Sequence, residues 1–256
     1  MTSPATAKTA LVTGAGRRLG RAMAIALAGR GYAVAVHYNR SEAPAKEVAS
    51  IIAAQGGKAA TLCADLSKEE ETATLVARAC AALGPLTLLV NSASLFEADD
   101  IASMTRASWD AHLETNLRAP AKLAQDFAAQ APEGRNCLIV NIVDQRVLKP
   151  TPQFLSYAVS KAALYAMTKM LAQALGPRGV RVNAIGPGPT LKNPRQSAAD
   201  WRRQNEATVL GRGATPDDIV GALLYLVDAQ AVTGQMIAVD GGQHLAWKTP
   251  DVLVSE

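Results

Sequence analysis

Asp144 stands thirteen residues before Tyr157, and Lys161 follows Tyr157 by four. A tyrosine and a lysine at i and i+4 share one helix face, so the ammonium can lie beneath the phenol. A cation there favours the phenolate and draws the phenol down from its ordinary pKa of about 10. Such a phenol can act as a general acid near neutral pH. An ionised Asp144 would repel a developing alkoxide, yet it suits N–H donors or a ring nitrogen that takes up a proton. Shielding from water would raise its pKa and let it pass a proton. The plainer alternative is an aspartate that caps a loop.

Two other stretches carry residue types suited to phosphate. Thr13-Gly14-Ala15-Gly16-Arg17-Arg18-Leu19-Gly20 follows an apolar run and opens a helical one. Glycines there permit a tight turn and bring backbone N–H groups and a helix N-terminus to a pyrophosphate. The second apolar run ends in His37-Tyr38-Asn39-Arg40-Ser41. A site for NAD would place an acid here for the ribose 2′-hydroxyl. Arg40 and Ser41, joined by Arg17, instead suit a 2′-phosphate, so NADPH is the expected cofactor; the plainer alternative is an ordinary polar loop.

The elements that must position these residues alternate from end to end. Strand patterns fall at Thr9–Thr13, Ala33–His37, Ala59–Cys63, Leu86–Val90, Cys137–Ile142, Val180–Ala184 and Met236–Val239, with amphipathic stretches between them. That rhythm predicts a single α/β domain over residues 1–256, a Rossmann-type doubly wound parallel sheet of about seven strands with helices on both faces. Ligands of such sheets bind at the carboxyl ends of the strands. Ser67 with Glu70 reads as a capping box, and Thr215-Pro216-Asp217-Asp218 as an N-cap, a proline at N1 and an acid at N3. Gly29 and Gly31 can end the first helix. Residues 187–207 carry three prolines and an arginine-rich piece around Trp201 without a strand, the signature of a substrate lid. Residues 1–8 read as a disordered terminus.

Composition narrows the classes. The 256 residues are 49% hydrophobic and only 4% aromatic, which suits a close-packed globular protein. The opening segment lacks an apolar h-region, and the run from Val220 to Val227 is too short to cross a bilayer, so no membrane partner is expected. Net charge is +4, but the basic residues are scattered, which argues against nucleic acid. Cys63, Cys80 and Cys137 lack metal spacing and read as small buried hydrophobes in a reducing cytoplasm. No metal is expected.

The spacing Asp144-x12-Tyr157-x3-Lys161 resembles the Ser-x12-Tyr-x3-Lys site of the short-chain dehydrogenase/reductase family, with aspartate in the serine position. The glycine turn resembles that family's Thr-Gly-x3-Gly-x-Gly, with Arg18 where the middle glycine should be. Asn91-Ser92-Ala93-Ser94 resembles its Asn-Asn-Ala-Gly, and Val239-Asp240-Gly241-Gly242 its last strand. The resemblance covers about residues 9 to 245. It implies Tyr157 as proton donor, Lys161 as its partner and holder of the nicotinamide ribose, and Asn116 as the asparagine that holds a water. It also implies Asp65 and Leu66 at the adenine, with Gly14, Arg17, Arg18, Leu19, Gly20, His37 through Ser41, Asn91, Ser92 and Ala93 at the cofactor.

The departures together resemble the pteridine reductase branch, in which the residue matching Phe96 stacks on the pterin ring. There the residue matching Ser94 meets the cofactor–substrate edge, and the aspartate works with the tyrosine in proton delivery. Pro187, Gly188 and Thr190 match that branch's loop over the phosphates, and Arg18 reaches the diphosphate or the substrate. The resemblance implies an NADPH-dependent reductase of a C=N bond in a pterin-like small molecule, with a homotetramer as the usual assembly. Two alternatives stand beside it: a reductase of ketones or 3-oxoacyl thioesters, and a catalytically silent NADPH sensor or scaffold. The tail Trp247–Glu256 is expected to reach a neighbouring subunit.

Overall fold

A computed structural model describes residues 8–246. Seven parallel strands form one sheet in the order β3-β2-β1-β4-β5-β6-β7. They are β1 (Lys8–Val12), β2 (Tyr32–Tyr38), β3 (Ala59–Cys63), β4 (Leu88–Asn91), β5 (Cys137–Ile142), β6 (Val180–Pro187) and β7 (Met236–Val239). Helices α1 (Arg18–Gly29), α2 (Glu42–Ala54), α3 (Glu69–Leu83), α4 (Arg106–Leu113), α5 (Ala119–Gln130), α6 (Leu155–Leu175), α7 (Ala198–Glu206) and α8 (Pro216–Asp228) fill the connections. A π-helical turn, Glu114–Arg118, joins α4 to α5.

Successive strand residues face opposite layers, and the core divides accordingly. Ala10 and Val12 of β1 pack with Met23 and Leu27 of α1, Ile52 of α2 and Leu223 of α8. Leu11, between them, packs with Leu75 of α3 and with Leu123 and Phe127 of α5 on the other face. Both faces being covered, β4 and β5 are buried at every position, as expected for a parallel sheet inside two helical layers. The chain leaves β3 on one side of β1 and returns as β4 on the other, which opens a crevice above the carboxyl ends of β1 and β4.

Several expectations need correction. Lys8, assigned to a disordered terminus, opens β1 and pairs with Tyr32. Residues 1–7 and the tail Trp247–Glu256 lie outside the described residues. Ser67 and Glu70 form no capping box. Asp65 instead accepts hydrogen bonds from the Ser67 backbone N–H and hydroxyl, and Glu71 accepts from the Asp65 N–H. The expected N-cap at Thr215, with Asp218 at N3, is present and closes as a capping box. Cys137 is buried and Cys80 half-buried, whereas Cys63 is exposed at the end of β3. Within 187–207, Pro187 closes β6, and Ser197 caps the nine-residue α7 with its side chain. Among the described residues, no helix is long and apolar enough to cross a membrane, and no cluster of metal-ligating side chains occurs.

Candidate active site

The glycine turn takes its shape from close backbone contacts. Gly14 has a positive φ of 65°, and a Cβ there would stand 2.9 Å from the Ala93 Cα. Only glycine meets both conditions without strain. At Gly20 a Cβ would run into the Gly14 carbonyl, which lets the first turn of α1 close against the loop. Thr13 fixes the opposite wall: its hydroxyl accepts the backbone N–H groups of Ser92 and Ala93, both at 2.9 Å. His37 pins the turn from beneath, accepting the Gly14 N–H at Nδ1 (3.0 Å) and donating from Nε2 to the Ala64 carbonyl (3.0 Å). Burial, partly opposed by the Ala64 hydrogen bond, lowers its pKa to about 4. The imidazole is therefore neutral at pH 7, as an acceptor at Nδ1 requires.

Above this turn lies a cavity of about 890 Å³. Gly14, Arg17, Arg18, Leu19, Gly20, His37 through Ser41, Asp65, Leu66, Ser92, Ala93, Ser94, Phe96, Asp144, Tyr157, Lys161, Pro187 and Gly188 line it. The expected cofactor residues thus converge, with two exceptions. Asn91 lies beneath the floor, 3% exposed, and donates to the Asn141 side chain. Thr190 lines the adjoining chamber, its hydroxyl bonded to the Gly188 carbonyl. His37 reaches the cavity, but both its ring nitrogens are committed within the protein. The donor set fits a dinucleotide bearing a 2′-phosphate: a helix N-terminus opens on the cavity, and exposed Arg17 and Arg40 flank a β2 end without an acid.

Tyr157 and Lys161 lie on α6 and are almost completely buried. The Tyr157 hydroxyl donates to Asp144 Oδ2 at 2.8 Å, and Asp144 Oδ1 accepts the Arg146 backbone N–H at 2.8 Å. Asp144 therefore holds the phenol and caps the short turn Gln145–Val147 together. Lys161 Nζ donates to the Ile142 carbonyl at 2.8 Å and stands 5.8 Å from the centre of the Tyr157 ring. Burial lowers Lys161 to about 8, with Asp144 opposing.

The pKa of the Tyr157 phenol, expected to fall beside a positively charged nicotinamide, is raised by its protein surroundings. Burial, then the adjacent Asp144 charge and hydrogen bond, raise it well above the usual phenol value, while Arg146 acts in the opposite direction. The Lys161 ammonium points at a carbonyl, and the carboxylate is the nearer charge. The phenol is held protonated.

Asn116, expected to hold a water, makes three hydrogen bonds within the protein. Its amide donates to the Leu95 carbonyl and the Ser160 hydroxyl, and its Oδ1 accepts the Leu95 N–H at 2.8 Å. Fully buried within the π-helical turn, it positions the loop that carries Phe96. A π-turn aims a side chain that a regular helix would direct elsewhere.

A second chamber of about 420 Å³ adjoins the cofactor cavity. Phe96, Asp144, Gln145, Arg146, Phe154, Tyr157 and Trp201 contribute to its walls. Phe96 stacks on Phe154 with centroids 4.4 Å apart and meets the edge of Tyr157 at 4.7 Å. Phe154 has φ of 58°, uncommon for a bulky residue, and precedes the first turn of α6. Lid residues cross above. Arg195 donates to the Phe96 carbonyl and pairs with Glu97. Arg18 (φ 51°) donates to the Leu191 and Lys192 carbonyls at 2.8 and 3.1 Å. Arg18, expected at the diphosphate or the substrate, lines both cavities and ties the glycine turn to the lid. Ser94 lines the cofactor cavity, its hydroxyl donating to the Leu95 carbonyl.

Gln145, Arg146, Phe154 and Arg195 were not legible as site residues. No spacing marks them, and their place depends on the left-handed Phe154 and on the lid's fold.

The family described as enoyl-(acyl carrier protein) reductase matches residues 14–244. An uncharacterized oxidoreductase of Methylorubrum extorquens is 36% identical, over 92% of this chain and 97% of its own length. A 3-oxoacyl-[acyl-carrier-protein] reductase of Staphylococcus epidermidis is 31% identical, over 93% and 99%. Among solved structures, FolM alternative dihydrofolate reductase 1 from Brucella canis, complexed with NADP, superposes with a TM-score of 0.92. It is 45% identical, covering 96% of this chain and 97% of that one.

Proposed function

We propose that this chain, which belongs to the short-chain dehydrogenase/reductase family, reduces a C=N bond of a pterin-like ring. It is an NADP-dependent oxidoreductase with a single seven-stranded Rossmann-type sheet. When bound, NADPH supplies the hydride. Arg40 and Arg17 take the 2′-phosphate side, and the turn from Gly14 to Gly20 takes the diphosphate. Lys161 orients the ribose from beneath, while Tyr157 supplies the proton.

The observation that carries the substrate class is the 2.8 Å hydrogen bond between the Tyr157 hydroxyl and Asp144. A carboxylate at the proton donor would oppose the negative oxygen that forms when a ketone is reduced. A ring nitrogen protonated as the hydride arrives ends as an N–H donor, which the neighbouring carboxylate can accept. The raised Tyr157 pKa keeps its proton in place until a nitrogen of rising basicity accepts it. Asp144 is also anchored by the Arg146 N–H, so it stays aimed at the phenol. The likeness to the Brucella canis protein described as an alternative dihydrofolate reductase supports the same class.

The competing reading, a 3-oxoacyl-thioester reductase, draws on the Staphylococcus epidermidis relative. NADPH oxidation by the purified protein separates the two. Dihydrobiopterin, dihydromonapterin and dihydrofolate should be turned over, and a 3-oxoacyl thioester should be poor. Preference for the thioester would overturn the proposal, and no turnover of any of them would favour a silent sensor.

A further inference from the structure

Four charged residues line the inner chamber: Arg18, Asp144, Arg146 and Arg195. Two of the three arginines are committed. Arg18 is held by two lid carbonyls, and Arg195 by Glu97 and the Phe96 carbonyl. Arg146 is not. Its Nη1 is buried without a hydrogen-bond partner, and no carboxylate among the described residues pairs with it. Its guanidinium lies 5.0 Å from the Phe154 ring centre and 5.6 Å from that of Phe96, a setting that removes water from the cation. Gln145 beside it is 7% exposed, and its Oε1 is also unpartnered. One wall of the chamber thus holds two unmet polar groups, and an apolar occupant would leave both unpaired.

We infer that Arg146 determines substrate choice by binding a carboxylate carried on a side chain of the reducible ring. A ring oxo group would satisfy the hydrogen bond but leave the charge unbalanced. A carboxylate satisfies both and matches the planar fork of a guanidinium. The chamber's charge agrees: with Arg195 set against Glu97, Arg18 and Arg146 face only Asp144. Unconjugated rings would lack this contact. The inference rests on the pterin-like reading and divides its substrates into carboxylated and uncarboxylated ones.

The test compares dihydrofolate, which carries carboxylates, with dihydrobiopterin, which carries none, in the wild type, Arg146→Met and Arg146→Lys. Loss of one charge-assisted contact should raise the dihydrofolate KM about tenfold or more in Arg146→Met. The dihydrobiopterin KM should stay within about twofold, and Arg146→Lys should recover much of the dihydrofolate KM. Any change in kcat, which would come through the Arg146 charge near Tyr157, should be equal for both substrates. The uncarboxylated substrate also reports whether the variant has folded. Equal rises in both KM values would mean that Arg146 only stacks on Phe96 and Phe154. No change on either would mean that it touches no substrate. Either result overturns the assignment alone, whereas a wild type inactive on both compounds overturns the pterin-like reading with it.

Discussion

The two walls of the cleft are finished to different degrees. On the cofactor wall, most polar groups meet partners within the protein, although Asn91 Oδ1 beneath the floor has none: Thr13 holds Ser92 and Ala93, His37 holds Gly14 and Ala64, and Asn116 holds Leu95 and Ser160. On the substrate wall, Gln145 and Arg146 keep unpartnered buried atoms, and the lid is tied by exposed arginines. The first wall is a preformed mould for a ligand of fixed shape. The second is completed by its occupant. Preorganisation on one side with unmet groups on the other fits a cofactor shared across a family and a substrate that is not.

The contrast can be broken first at His37, where the largest stability effect is expected. Its pKa in the fold is about 4, against an ordinary value of about 6.5. The folded state binds the proton more weakly than the unfolded chain, so this contribution is complete above pH 6.5 and is lost as pH falls from 6.5 towards 4. Integrated over that window it amounts to roughly 3 kcal/mol. Chemical denaturation at steps between pH 7 and 4.5 should show a steeper loss in the wild type than in His37→Gln. Parallel profiles would mean that the glycine turn does not depend on a neutral imidazole.

A smaller change sharpens the comparison at Arg40, which lines the cofactor cavity and not the inner chamber. Arg40→Ala should raise the NADPH KM about tenfold, the value of one charge-assisted phosphate contact, and leave the NADH KM almost unaltered. Equal shifts for both cofactors would remove the 2′-phosphate assignment.

The same division explains what was legible in the sequence. The strands and the turn could be read because parallel strands buried on both faces are continuous apolar runs, and because close backbone approach demands glycine at Gly14 and Gly20. The Asp144–Tyr157–Lys161 spacing was legible because helix periodicity places two of the three. The electrostatics were not. Whether Lys161 or Asp144 governs Tyr157 depends on where Nζ points, and it points to the Ile142 carbonyl. Asn116 was identified, but its hold on the Leu95 loop was not legible, since only the π-turn shows its amide facing Leu95. Phe154 and Arg146 were missed because a left-handed residue before α6 and a guanidinium on two stacked rings arise from tertiary packing.

The role of Asp144 is the central claim, and Asp144→Ser tests it most directly. The kcat/KM for dihydrobiopterin and for a 3-oxoacyl thioester should be measured side by side in the wild type and the variant, with NADPH saturating. The account predicts a fall of about a hundredfold for the dihydropterin, the scale of one proton-delivery group, with the thioester unchanged or improved. A variant that keeps the dihydropterin rate, or loses both rates equally, would contradict it.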